Sequence, residues 1–168
     1  MNTAKNITLP AVFTALLMGG QFVLSGISGV EVVTVLLLCF AYRYGIRQGL
    51  IVANAFSLLR CFIFGFMPNV LVLYLVYYNL FVLVFGGVGN AFKREYSIKK
   101  HVIIVALALV MTTAFTLLDN VITPLIYSYN LNATKAYFIA SLYTLIPHLV
   151  CSAVTVSLLF PALTKVLK

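Results

Sequence analysis

Long apolar stretches dominate the chain, and short polar connections separate them. Six stretches stand out, at residues 9–27, 30–46, 48–64, 68–90, 101–126 and 136–164. A helix needs about 20 residues to cross the hydrocarbon core of a bilayer, with a range of about 17–25. The second and third stretches are at the short limit, whereas the sixth is long enough to tilt. Because the apolar runs are continuous and do not alternate with polar positions, they favour membrane helices over barrel strands.

The composition agrees with a chain that is almost entirely membrane domain. Of the 168 residues, 63% are hydrophobic and 8% are charged, whereas soluble globular domains carry about 25% charged residues. We therefore expect residues 1–168 to form a single all-α membrane domain, a compact bundle of six transmembrane helices. Gln21 and Ser25 lead directly into the second stretch and not into a soluble domain, so we interpret the first stretch as a retained span and not as a signal peptide.

The net charge of +8 is distributed unevenly. In a six-span topology, one side of the membrane has Lys5, Arg43, Arg47, Lys93, Arg94, Lys99, Lys100, Lys165 and Lys168. The connections on the other side have only Lys135, with Glu31 and Asp119 near helix ends. Since Lys and Arg are concentrated in short cytoplasmic loops, both termini are predicted to be cytoplasmic. The same distribution argues against a nucleic-acid-binding surface.

Polar and aromatic residues are concentrated towards the predicted outer ends of the helices. A charge within a span, such as Arg60, usually faces the protein interior or a water-filled cavity, and aromatic walls with a few polar groups are typical of ligand pockets. The predicted substrate-binding residues are Glu31, Arg60, Asn69, Tyr74, Asp119, Asn120, Tyr127 and Tyr143. Two alternatives remain open. The tyrosines can form an interfacial belt, and Arg60 can pair with Glu31 or Asp119 to fix helix positions.

Motifs for catalysis, metals or cofactors are not visible in the sequence. Cys39, Cys61 and Cys151 all lie within spans and lack metal-ligand spacing. The glycine-rich stretch 86–90 lacks the strand–turn–helix setting of a dinucleotide site, so close helix packing explains it better. His148 is either a hydrogen-bonded structural residue or a proton relay. We therefore expect no enzyme activity, no cofactor and no metal.

The first span has small residues at every fourth position, namely Ala11, Ala15 and Gly19. Such a stripe allows another helix to approach closely in the membrane. The partner is either another helix of this chain or a second protein.

Together these features resemble the substrate-binding S component of energy-coupling factor (ECF) vitamin transporters. The likeness consists of the six short spans, the cytoplasmic termini, the Ala11 and Ala15 stripe, and the hairpin YGIRQGL at residues 44–50. In that family an aromatic-Gly-x-x-x-Gly-apolar hairpin often joins spans two and three. The resemblance covers the whole chain in architecture, and at the level of residues it covers the stripe and the hairpin.

The resemblance implies a high-affinity binding subunit of an ATP-driven importer in a prokaryotic plasma membrane. Such a subunit captures a water-soluble vitamin or related micronutrient from outside and delivers it inward by reorienting in the membrane. Its partners would be a membrane scaffold subunit, contacted by Ala11, Ala15 and Gly19, and two cytoplasmic ATPase subunits. Two other functions remain possible from the residues. One is a stand-alone proton-coupled transporter that uses Glu31, Asp119 or His148, and the other is a non-catalytic structural subunit of a membrane complex.

Overall fold

The computed structural model describes residues 3–26 and 32–167, and it places them in an all-helical bundle. The helices are α1 (Thr3–Leu24), α2 (Val32–Tyr44), α3 (Ile46–Phe64), α4 (Pro68–Ala91), α5 (Ile98–Ile126) and α6 (Leu131–Val166). The prediction of an all-α fold with six helices is confirmed for this part of the chain. Five of the helices are long and apolar enough to cross a membrane, whereas α2 is shorter. The chain therefore has the character of a multi-pass membrane protein.

The boundaries of α1, α2 and α6 all differ from the predicted ones, by two to six residues at each end. α1 begins at Thr3 and contains Pro10 in its interior, because a proline does not end a membrane helix when neighbouring groups satisfy the freed carbonyl. α2 has 13 residues, so at 1.5 Å per residue it is about 20 Å long. The hydrocarbon core of a bilayer is about 30 Å thick. The described part of α2 is thus too short to cross it alone.

The short helix α2 is at the centre of the bundle. It packs against α1, α3, α4 and α6, and 9 of its 13 residues are buried. A helix that is apolar on all sides is typical of such a position. The hydrophobic core around it has members from every helix, including Leu17, Phe56, Phe85, Ile104 and Phe160.

Glycines allow α4 to pack closely against the α2–α3 hairpin. Gly45 is the one residue between α2 and α3, and its φ of 86° is a conformation that glycine adopts without strain. A Cβ on Gly86 would lie 3.0 Å from the backbone nitrogen of Ile46, and a Cβ on Gly89 would overlap the carbonyl oxygen of Tyr42. The prediction that this glycine-rich stretch serves helix packing is confirmed for these two residues.

The two ends of the bundle differ in charge, since consecutive helices run in opposite directions. We call one end the basic end; its described cations are Arg43, Arg47, Lys93, Arg94, Lys99, Lys100 and Lys165. There Lys100 forms an ion pair with Glu95 at 3.3 Å, and the Arg43 Nε donates a hydrogen bond to the carbonyl oxygen of Leu167 at 3.0 Å. At the opposite end α1, α3 and α5 finish and α2, α4 and α6 begin.

Candidate functional site

A cavity of about 370 Å³ lies between the helices towards the end opposite the basic end. Val32, Val33 and Thr34, the first described residues of α2, line the floor of this cavity. The other lining residues are Gly20, Gln21, Leu24, Ser25, Arg60, Phe64, Tyr74, Tyr77, Tyr78, Phe115 and His148. All six helices therefore contribute, and the volume falls within the range of about 300–1,000 Å³ found for small-molecule sites.

Arg60 is held in this cavity by two aromatic rings. Its guanidinium carbon lies 4.7 Å from the ring centre of Tyr74 and 5.3 Å from that of Phe64. Phe64 is one helical turn further along α3, so the helix itself places the two side chains together. Cation–π contacts are worth about 0.5–2 kcal/mol depending on desolvation. The Nε atom of Arg60 is nevertheless buried without a hydrogen-bond partner among the described residues.

Gln21 brings a second unpaired polar atom to the same cavity. Its Nε2 donates to the Tyr74 hydroxyl at 3.5 Å, the long limit of a hydrogen bond. Its Oε1 is buried, and no described residue donates to it. Buried polar atoms are nearly always paired with protein or water. One unpaired donor and one unpaired acceptor in a single cavity are therefore what a polar ligand would complete.

An aromatic cluster forms the rest of the wall. Tyr74 packs edge-on against Tyr78, with ring centres 5.0 Å apart, and Tyr77 packs edge-on against Phe115 at 4.8 Å. Phe56 stacks behind Tyr74 at 6.2 Å. Edge-to-face pairs are the favoured geometry of aromatic rings. The wall is thus a preformed surface that a flat apolar group can contact.

A separate set of hydrogen bonds joins α4, α5 and α6 at the same end. We call it the polar cluster, and its members are Asn69, Asp119, Asn120, Thr123, Tyr127, Tyr137 and Ser141. The two carboxylate oxygens of Asp119 accept hydrogen bonds from the hydroxyls of Thr123 and Tyr137, each at 2.6 Å. Asn69 donates to the Thr123 hydroxyl at 3.1 Å and accepts from Tyr127 at 3.1 Å. None of these residues lines the cavity.

The structure therefore divides the predicted substrate-binding residues into separate groups. Arg60 and Tyr74 line the cavity, and the polar cluster contains Asn69, Asp119, Asn120 and Tyr127. Tyr143 is 76% exposed on the surface of α6, and Glu31 lies outside the described residues. The proposed pairing of Arg60 with Asp119 is not present, because Asp119 bonds within the polar cluster.

Several lining residues were not among the predicted substrate-binding residues. Gln21 follows the buried Leu17 and Met18 by four and three positions on α1, which places it on the same inward face. Tyr77 and Tyr78 follow Tyr74 by three and four positions and share its face for the same reason. A spacing of three or four positions from another inward-facing residue of the same helix is the sequence pattern that identifies them.

The small-residue stripe lies on the outside of α1. Ala11, Ala15 and Gly19 are all exposed, and a Cβ built on Gly19 would meet nothing within 4 Å. α1 packs against α2 and α3 through other positions, including Phe13 and Leu17. In the described part of the chain, the stripe therefore has no helix packed against it.

No grouping of three or more His, Cys, Asp or Glu side chains capable of holding a metal occurs in residues 3–26 and 32–167, and all three cysteines are free. Comparison with known proteins adds no identity to these observations. No family model matches the chain, and no curated protein or solved structure matches it.

Proposed function

We propose that this chain is the substrate-binding subunit of an ATP-driven ECF-type importer in a prokaryotic plasma membrane. It captures a water-soluble vitamin or related micronutrient from outside and delivers it inward by reorienting on a scaffold and two ATPases. The observation that carries the proposal is the cavity around Arg60 at the end opposite the basic end. With the basic end in the cytoplasm, as the distribution of Lys and Arg predicts, the cavity lies towards the outer face.

The exposed stripe on α1 supports a partner in the membrane. Small side chains permit close backbone contact between helices, and Ala11, Ala15 and Gly19 are all exposed on the described part of α1. A scaffold helix that docks along this stripe would leave the cavity-lining face of α1, which has Gln21, unchanged. Binding of the solute and docking of the motor would then use opposite faces of one helix.

A competing function leads to a different result in transport assays. A stand-alone proton-coupled transporter would use Glu31, Asp119 or His148, and of these His148 lines the cavity. Such a protein would accumulate its solute with a proton gradient and no ATP. A structural subunit would have no need of a cavity of this size.

The test is uptake by cells that produce this chain together with a scaffold and two ATPases, measured beside solute binding by the purified chain. Substituting Ala11→Trp or Ala15→Trp should abolish ATP-driven uptake and leave binding unchanged, because the bulky ring blocks the stripe. Ala106→Trp on α5 is the matched control, since Ala106 is an equally small exposed residue on another helix. Loss of binding in the α1 variants, or equal loss of uptake in the control, would contradict the assigned role of the stripe.

A further inference from the structure

The cavity has a single permanent charge among its described lining residues. That charge is the guanidinium of Arg60, and no Asp or Glu is present in the described lining. The ring faces of Phe64 and Tyr74 stabilise the guanidinium but do not neutralise it. Because Arg60 is half-buried and no acidic residue of the described lining balances it, a negatively charged ligand would be stabilised there. The N-terminal end of the α2 dipole points to the same floor and adds to that preference.

The charge and shape of this cation favour a carboxylate. One guanidinium balances one negative charge, whereas a phosphate monoester carries about −1.5 to −2 at pH 7. A carboxylate is planar and accepts two parallel N–H bonds from a guanidinium edge. The unpaired Nε of Arg60 lies on such an edge.

The unpaired acceptor Oε1 of Gln21 favours a ligand that has a hydrogen-bond donor. Gln21 Oε1 has no partner in the described chain, and the bond from Gln21 Nε2 to Tyr74 orients the amide. Arg60 contacts the same tyrosine ring at 4.7 Å. Both side chains therefore contact Tyr74 within the cavity lining.

The volume and the walls define the rest of the ligand. A cavity of about 150 Å³ binds benzene in another protein, so the 370 Å³ here has room for a substituted bicyclic ring. The rings of Tyr74, Tyr77, Tyr78 and Phe115 line the cavity and give such a ring an aromatic wall to contact.

We propose that the cavity binds an aromatic or heteroaromatic monocarboxylate, with Arg60 on the carboxylate and Gln21 accepting from an N–H or O–H of the ring. This inference rests on the proposed function, since it describes the chemical class of the solute that the subunit captures. It assigns the two residues distinct tasks. Arg60 selects a negatively charged ligand, and Gln21 selects a ligand with a hydrogen-bond donor on its ring.

The experiment compares three probes that share one ring. These are indole-3-carboxylate, indole-3-carboxamide and indol-3-ylmethylamine, titrated calorimetrically into the full-length protein in detergent after mass spectrometry has shown it to be free of bound solute. The carboxylate should bind with a Kd at least about tenfold below those of the other two. Arg60→Gln should raise the carboxylate Kd by about 10–100-fold and leave the carboxamide Kd unchanged. Lys135→Gln is the control, because it removes one exposed cation at the same end of the bundle outside the cavity.

The task of Gln21 is tested with a methylated probe. Gln21→Leu should raise the Kd of indole-3-carboxylate by about 3–10-fold, and it should not affect 1-methylindole-3-carboxylate, which lacks the N–H. Circular dichroism and elution volume check that each variant folds. If Arg60→Gln does not fold, Arg60→Lys and the probe series on the unaltered protein still decide the question, because the preference for the carboxylate is the primary result.

The possible failures separate the ligand class from the proposed function. Tighter binding of the amine, retention of the carboxylate preference in Arg60→Gln, or no binding of any probe at millimolar concentration would overturn the ligand class. Binding of indol-3-ylmethylamine that is lost in Glu31→Gln would also overturn it, because it would indicate recognition of a cation. In each of these cases ATP-driven uptake with the scaffold and ATPases can still be present. Its absence would instead remove the proposed function, whatever the cavity binds.

Discussion

Substituting alanine for Gly89 should destabilise the bundle, because α4 crosses the end of α2 at this glycine. A Cβ at position 89 would overlap the carbonyl oxygen of Tyr42, and it would lie 2.9 Å from the Cα and 3.0 Å from the carbonyl carbon of that residue. These are backbone atoms of a buried helix, so one helix must move to relieve the overlap. If the Cβ met a flexible side chain of α2 and not its backbone, that side chain could rotate away.

The expected loss follows from two opposing effects. Overpacking of a well-packed core costs about 1–3 kcal/mol, and a collision with backbone atoms favours the upper end of that range. The preference of a helix for alanine over glycine offsets about 0.5–1 kcal/mol. The net loss is about 2 kcal/mol, which lowers the unfolding midpoint by roughly 4–8 °C for a chain of this size.

Thermal unfolding in detergent measures this change, followed with a maleimide dye that fluoresces on reaction with thiols, in a protein in which Cys61→Ser and Cys151→Ser leave Cys39 as the reporting thiol. Cys39 on α2 is fully buried, so its reaction reports the opening of the helix that Gly89 contacts. Gly87→Ala is the matched control, because a Cβ there meets nothing within 4 Å and the midpoint should stay or rise. A midpoint for Gly89→Ala equal to or above that of Gly87→Ala would refute the reasoning.

Two other measurements test the interior and the topology. The side-chain amides of Asn54 and Asn79 exchange two hydrogen bonds of 3.1 Å between α3 and α4. Asn54→Leu should therefore lower the unfolding midpoint, and adding Asn79→Leu should recover part of the loss, because no amide is then left unpaired. Losses that simply add in the double variant would contradict this. A membrane-impermeant maleimide on intact cells should label Lys135→Cys and spare Lys93→Cys in a protein without its native cysteines, and the reverse pattern would place the basic end outside.

Hydrophobic patterning predicts the number of helices well, because each apolar run is bounded by Gly, Pro, Asn or charged residues. It does not predict that α2 has 13 residues, since the boundaries depend on packing against other helices and not on hydropathy alone. The placement of Val32–Thr34, the first described residues of α2, at the cavity floor depends on the same packing and could not be located from single residues.

The candidate site is predictable only in part for a related reason. Arg60 could be identified because a charge in an apolar span needs a special environment. Asp119 met the same criterion, yet it is bonded to Thr123 and Tyr137 in the polar cluster. The sequence shows how deep a residue lies along its helix. Whether that residue faces the cavity or the polar cluster depends on which neighbouring helix it packs against.

The burial of α2 makes the cavity blind-ended. Below Thr34 the axis of the bundle is filled by side chains such as Val35, Leu38 and Phe40, which are 0% exposed. A molecule held beside Arg60 therefore has no path along the bundle axis towards the basic end, and vesicles with this chain alone should bind it without becoming leaky to it.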